Sequence, residues 1–128
     1  MTERRRSRPP LILVVDDEAP LRMLAADIFE DAGYEVIAAA SGPEALVLLN
    51  TRSDVRAVVT DVQMPGDPDG LGLARAFRER CPDCAIVVVS GRALPSAQEL
   101  AADAAFMAKP YDTREIVATV DRLLAPTA

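Results

Sequence analysis

Short, uninterrupted apolar runs alternate with amphipathic stretches along this chain. Leu11–Val15 is wholly aliphatic, the pattern of a strand covered on both faces. Pro20 suits the first turn of a following helix. Leu21, Leu24, Ala25, Ile28, Phe29 and Ala32 then fall at helical spacing on one face, and Gly33 stands where that helix should stop. Glu35–Ala39 reads as a second strand. Ser41-Gly42-Pro43-Glu44 opens a second helix, capped by Ser41 or Gly42, with Leu46 and Leu49 facing inward. A third apolar strand at 57–60 ends on Asp61. Residues 64–70 are rich in turn formers. A helix is expected over 71–80, with Leu71, Ala74 and Phe77 on one side, and Cys81-Pro82-Asp83 ends it. The fourth strand is 85–89. Pro95 breaks the next stretch, where Ser96 and Glu99 make a capping-box pattern for a short fourth helix reaching about Asp103. Ala105–Ala108 is a short fifth strand. Asp112 is placed to cap a last helix with an inward stripe of Ile116, Val117, Val120, Leu123 and Leu124.

Five strands alternating with five helices predict an α/β domain with a parallel sheet and helices on both faces. At 128 residues, half of them apolar, the chain is the size of one domain with a real core. No repeat or interior linker marks a second unit. The apolar runs are far shorter than the roughly 18 residues of a membrane helix. The arginine-rich first ten residues lack the long apolar segment of an export signal. We therefore expect a cytoplasmic protein without membrane insertion: a flexible basic tail over 1–10, a domain over 11–125 and a short end at 126–128 with no output domain.

Charge sharpens this picture. The first ten residues carry four arginines and one glutamate, so a net charge of −6 leaves −9 on the body. Such a body attracts cations or a basic partner surface and argues against direct DNA binding. The absence of histidine excludes Ser-His and Cys-His catalysis and His-ligated zinc. Any phosphohistidine must belong to another protein. Cys81 and Cys84 are spaced C-x-x-C, but the pair follows a helix instead of opening one. Thiolate activation favours a helix N-terminus, so two small thiols in a loop are the preferred reading.

In a parallel α/β sheet, functional residues gather at the carboxyl ends of the strands. Those ends present Asp16, Asp17 and Glu18, then Asp61, then Ser90, then Lys109. Clustered carboxylates need a compensating cation, and hard oxygen ligands select Mg2+ or a similar ion such as Mn2+. An aspartate can attack phosphorus. Catalysis of that step is mostly positioning and charge neutralisation, which Lys109, Ser90 and a metal would supply.

The set LILVVDDE at 11–18, VVTDVQMPG at 58–66, VVVSG at 87–91 and MAKPY at 107–111 resembles the receiver domain of bacterial two-component response regulators, of the chemotaxis-regulator type. The resemblance implies a doubly wound five-stranded parallel sheet in the flavodoxin-like order 2-1-3-4-5. It also implies a phosphorelay switch in which Asp61 accepts a phosphoryl group from a sensor histidine kinase or histidine phosphotransfer protein, with weak autodephosphorylation. Asp16, Asp17, Asp61 and the Gln63 carbonyl match the metal ligands, and Lys109 and Ser90 match the groups that contact the phosphoryl oxygens. Ser90 and Phe106 match the switch pair, and Lys109-Pro110 matches a cis peptide. A phosphorylation-independent pseudo-receiver is the alternative reading.

Two stretches depart from the commonest family pattern. The loop Gly66-Asp67-Pro68-Asp69-Gly70 is slightly long, with Asp67 and Asp69 read as turn residues. The segment from Ser90 to Lys109 is short, which points to a truncated or irregular fourth helix. Arg92, two residues past Ser90, is read first as a solvated surface charge, with a role beside Gln63 in tuning water access to the pocket as the alternative.

Overall fold

The computed structural model describes residues 9–91, 95–96 and 100–125. The first eight residues, Arg92 and residues 97–99 of the expected fourth helix lie outside that set, as do residues 126–128. Five strands form one parallel sheet: β1 (Leu11–Val15), β2 (Glu35–Ala39), β3 (Val55–Asp61), β4 (Ala85–Ser90) and β5 (Ala105–Ala108). Their order is β2-β1-β3-β4-β5, the flavodoxin-like arrangement. Among the described residues there are four helices: α1 (Ala19–Asp31), α2 (Gly42–Thr51), α3 (Gly70–Arg80) and α4 (Thr113–Leu124). In the region of the expected fourth helix, one bond of helical spacing, from the Leu100 N–H to the Ser96 carbonyl, is described.

Strand alternation divides the interior into two cores. Leu11, Leu13 and Val15 face α2 and α3, in a cluster with Leu49, Leu73, Phe77, Ile86 and Val88. Ile12 and Val14 face the other way, joining Phe29, Val87, Val89, Ile116 and Val120 beneath α1 and α4. A strand buried on both faces has no polar side, which explains the continuous aliphatic runs.

β3 begins two residues earlier than its apolar run indicates. Leu11 pairs with Val55 but Ile12 pairs with Ala57, so Arg56 is an extra residue in the ladder. Val55 and Val58 consequently both join the α2–α3 core, while Ala57 joins the other. A bulge of this kind re-aims the side chain at its centre, and Arg56 is exposed.

The helix ends follow local chemistry. Ser41 Oγ accepts from the Glu44 N–H, Asp69 Oδ1 from the Gly72 N–H, and Asp112 Oδ1 from the Arg114 and Glu115 N–H groups. Asp69, expected as a turn residue, is thus the cap of α3. Gly33 leaves α1 with φ of +100°, in the left-handed region open to glycine.

The inward face of α1 needs correction. Ala25 and Phe29 are buried, but Leu21 and Leu24 are 39% and 53% exposed. The helix starts at the sheet's carboxyl edge, so its first turns flank the β5–α4 connection. There Leu21 and Leu24 line a groove with Lys109, Pro110 and Tyr111.

Candidate functional site

Each crossover returns the chain to the same edge, so the ends of β1, β3, β4 and β5 converge. Asp16 follows β1, Asp61 ends β3, Ser90 ends β4 and Lys109 follows β5. Carboxylate oxygens of Asp16, Asp17 and Asp61 all lie within 4.8 Å of one another. Asp16 and Asp61 are buried, while Asp17 is exposed.

Lys109 bridges the two buried acids. Its Nζ lies 2.9 Å from Asp61 Oδ2 and 3.5 Å from Asp16 Oδ2. Burial alone would lower the pKa of this ammonium. The hydrogen bond to Asp61 and the charges of Asp16 and Asp61 outweigh that effect, and the pKa lies above the usual lysine value. Tyr111, beside the groove, is also raised, chiefly by burial.

Backbone donors orient the acids. Asp16 Oδ1 accepts from the Glu18 N–H at 2.9 Å, and Asp61 Oδ1 accepts from the Gln63 N–H at 3.2 Å. One oxygen of each carboxylate is thereby turned to the chain and the other to Lys109. The loop after β5 is tied back by the Lys109 N–H donating to the Ser90 carbonyl at 2.8 Å. Both Lys109-Pro110 and Asp67-Pro68 are cis.

Ser90 is fully buried, and its hydroxyl donates to Gln63 Oε1 at 3.2 Å. Gln63 was read from sequence only as a backbone ligand and a gate to water. Its side chain instead reaches the hydroxyl residue of the next strand, a contact across 27 positions with no local sequence signal. Phe106 pairs with Val88 in the β4–β5 register and packs against the α2–α3 core. Alternation puts Ser90, two residues beyond Val88, on that same face. Arg22 was not singled out by sequence. Its Nη1 donates to the Asp16 carbonyl at 2.8 Å, pinning the acidic turn to the first turns of α1.

The cysteines also require correction. Cys81 and Cys84 are bonded to each other, with Cα atoms 5.4 Å apart, not two separate thiols.

A flavodoxin-like sheet thus carries a lysine-bridged acidic pocket at its carboxyl edge, the arrangement of a doubly wound α/β domain with its site at the strand ends. The family model described as "Response regulator receiver domain" matches residues 12–121, and the chain belongs to that family. It is similar to the sensor kinase CckA of Brucella abortus (strain 2308), at 38% identity over 88% of this chain and 12% of that protein. It is 37% identical to the response regulator MprA of Mycobacterium sp. (strain KMS), over 94% of this chain and 53% of that one. The crystal structure of a response regulator receiver protein from Sinorhizobium medicae WSM419 superposes with a TM-score of 0.87 at 35% identity, covering 91% of this chain and 94% of that one. The chain thus spans about half, or much less, of the curated relatives' length. Among the described residues no helix is long and apolar enough to cross a membrane.

Proposed function

We propose that this domain is a cytoplasmic phosphorelay switch in which Asp61 is the phosphoacceptor. The observation that carries this is the bridging of Asp61 and Asp16 by Lys109 inside a cluster of three carboxylates. In the transfer, a carboxylate oxygen of Asp61 attacks phosphorus of a donor phosphohistidine. The N–P bond breaks and its electron pair returns to the imidazole, which takes up a proton from solvent. The Lys109 ammonium neutralises charge on the phosphoryl oxygens. The Ser90 hydroxyl, by leaving Gln63 for a phosphoryl oxygen, draws Phe106 inward and favours the active state.

Three acids against one bridging lysine fit a divalent cation, and the all-oxygen donor set suits Mg2+ or Mn2+. Asp16, Asp17 and Asp61 would hold it with the Gln63 carbonyl. Such an ion supplies neutralisation of the phosphoryl oxygens. The groove of about 360 Å³ lined by Leu21, Leu24, Pro110 and Tyr111 opens beside Asp16 and Lys109. Its position supports docking of an apolar helix from a sensor histidine kinase or histidine phosphotransfer protein next to Asp61.

Incubation with Mg2+ and a small phosphodonor, followed by intact mass measurement, tests the reading. One phosphoryl group should add, and Asp61→Asn should abolish the addition. Absence of any adduct, together with unaltered signalling by Asp61→Asn, would support the phosphorylation-independent alternative.

A further inference from the structure

At the end of the sheet opposite the acidic pocket, a second chemical site is assembled around the cysteine pair. Cys81 caps α3 and Cys84 precedes β4; Cys84 is 4% exposed, while Cys81 is half-buried. The bulge in β3 delivers Arg56 to them. Its Nη1 lies 3.5 Å from Cys84 Sγ and 3.8 Å from Cys81 Sγ. Arg78 holds the loop itself, with Nη1 donating to the carbonyls of Cys81, Pro82 and Cys84 at 3.3, 2.9 and 2.7 Å. None of these three bonds involves sulfur, so none of them depends on the S–S bond.

Cys81 also lines a cavity of about 460 Å³ whose walls carry Arg52 and Arg80 and, among the described residues, no acidic side chain. Arg52 shares its charge with Asp54 at 2.8 Å. Arg80 is bonded to neutral acceptors, the Leu49 carbonyl and the Asn50 side chain. Of the two sulfurs, Cys81 is therefore the one reached from an open, basic cavity, and Cys84 is the one enclosed against Arg56 and the Val55 carbonyl.

We propose that Cys81 and Cys84 form a reversible thiol–disulfide exchange site for small anionic thiols. A thiolate entering the cavity attacks Cys81 Sγ. The Cys81–Cys84 bond breaks, and Cys84 leaves as a thiolate beside the Arg56 guanidinium. A second thiolate attacks the reagent's sulfur in the mixed disulfide, forming the reagent's disulfide and releasing Cys81 as a thiolate. Protons from solvent complete the two thiols. Two reagent thiols are oxidised as one protein disulfide is reduced. The reverse reaction uses the reagent's disulfide as oxidant. A guanidinium at the leaving sulfur stabilises the negative charge of the thiolate, which speeds its departure and favours the reduced form.

The test uses the full chain equilibrated in mercaptoacetate/disulfide buffers of graded poise, acid-quenched, alkylated and weighed. Both thiols should appear together in one two-electron transition. Mercaptoacetate should open the bond several-fold faster than the cationic thiol cysteamine at equal thiolate concentration, and added salt should erase the difference. In Arg56→Gln the equilibrium constant for reduction should fall about tenfold, or about 30 mV to more negative potential, and Arg56→Lys should recover most of it. Arg56 is exposed, so neither substitution threatens the fold. Cys84→Ser should trap mercaptoacetate on Cys81. The proposal is overturned if both thiols remain alkylatable in the most oxidising buffer, if the two reagents react equally fast, or if Arg56→Gln leaves the transition in place. Phosphoryl uptake at Asp61, measured on the same samples, reports independently on the other site.

Discussion

Gly70 lies directly against the carbonyl of Asp61: a Cβ built at Gly70 would stand 1.8 Å from that oxygen. The first residue of α3 is thus seated on the strand end that carries the proposed phosphoacceptor, and the Gly70 N–H donates to the Val62 carbonyl at 3.1 Å. Backbone meets backbone here, so no side chain can yield. Gly70→Ala should destabilise the fold by about 1–3 kcal/mol, the usual cost of overpacking. It should also slow phosphoryl uptake by displacing Asp61. Urea unfolding and intact mass, run in parallel, check both effects.

Metal affinity should respond in opposite directions to two substitutions in the pocket. Asp17→Asn removes a carboxylate and should weaken Mg2+ binding at least tenfold. Lys109→Gln removes the competing cation from Asp16 and Asp61, so Mg2+ should bind more tightly, by about 1 kcal/mol for a partly exposed charge pair. Titration of Mg2+ by calorimetry distinguishes the two. Weaker binding in both variants would contradict the electrostatic account.

Tyr34 ties the α1–β2 connection to α4 through its hydroxyl, which donates to Asp121. Burial, then the hydrogen bond to Asp121 and its charge, push the phenol well above its ordinary value. A pKa raised in the folded state contributes stability that is complete below the unfolded value, roughly pH 10 for tyrosine. That stability is lost as pH rises through the folded value. Wild type should therefore lose Tm in the alkaline range faster than Tyr34→Phe. Near neutrality the variant should be less stable by about 1 kcal/mol, one net hydrogen bond, because its ring can still pack edge-on against Phe29. Melting curves across pH for both proteins check the crossover.

Two leucines with the same sequence signature should behave differently. Leu49 is 4% exposed and Leu24 is 53% exposed. Leu49→Ala should cost about 2–5 kcal/mol, whereas Leu24→Ala should stay within about 0.5 kcal/mol, as surface changes do. A large loss at Leu24 would mean that the first turns of α1 are covered by protein in solution. Chemical denaturation measures both.

Local signals made most of the architecture legible. Aliphatic runs marked strands covered on both faces, and Ser41 and Asp112 marked helix starts because capping involves only the next three residues. The acidic and cationic residues could be read as one pocket because a parallel sheet brings its carboxyl ends to one edge. The α1 leucines were misplaced because helical periodicity defines a direction, not how far the neighbouring layer extends to cover it. Asp69 was placed in a turn because a long, proline-rich loop obscures which of its acids meets the helix.

The aspartate at the end of β3, the lysine after β5 and the alternation that juxtaposes them were determined by sequence alone, since each depends on local pattern and strand direction. Tertiary structure decided the rest. The Ser90 hydroxyl bonds to Gln63, 27 positions away, and the extra residue in β3 carries Arg56 to sulfurs 25 and 28 positions away. Register and bulges set such contacts, and both emerge only when strands pair across the sheet.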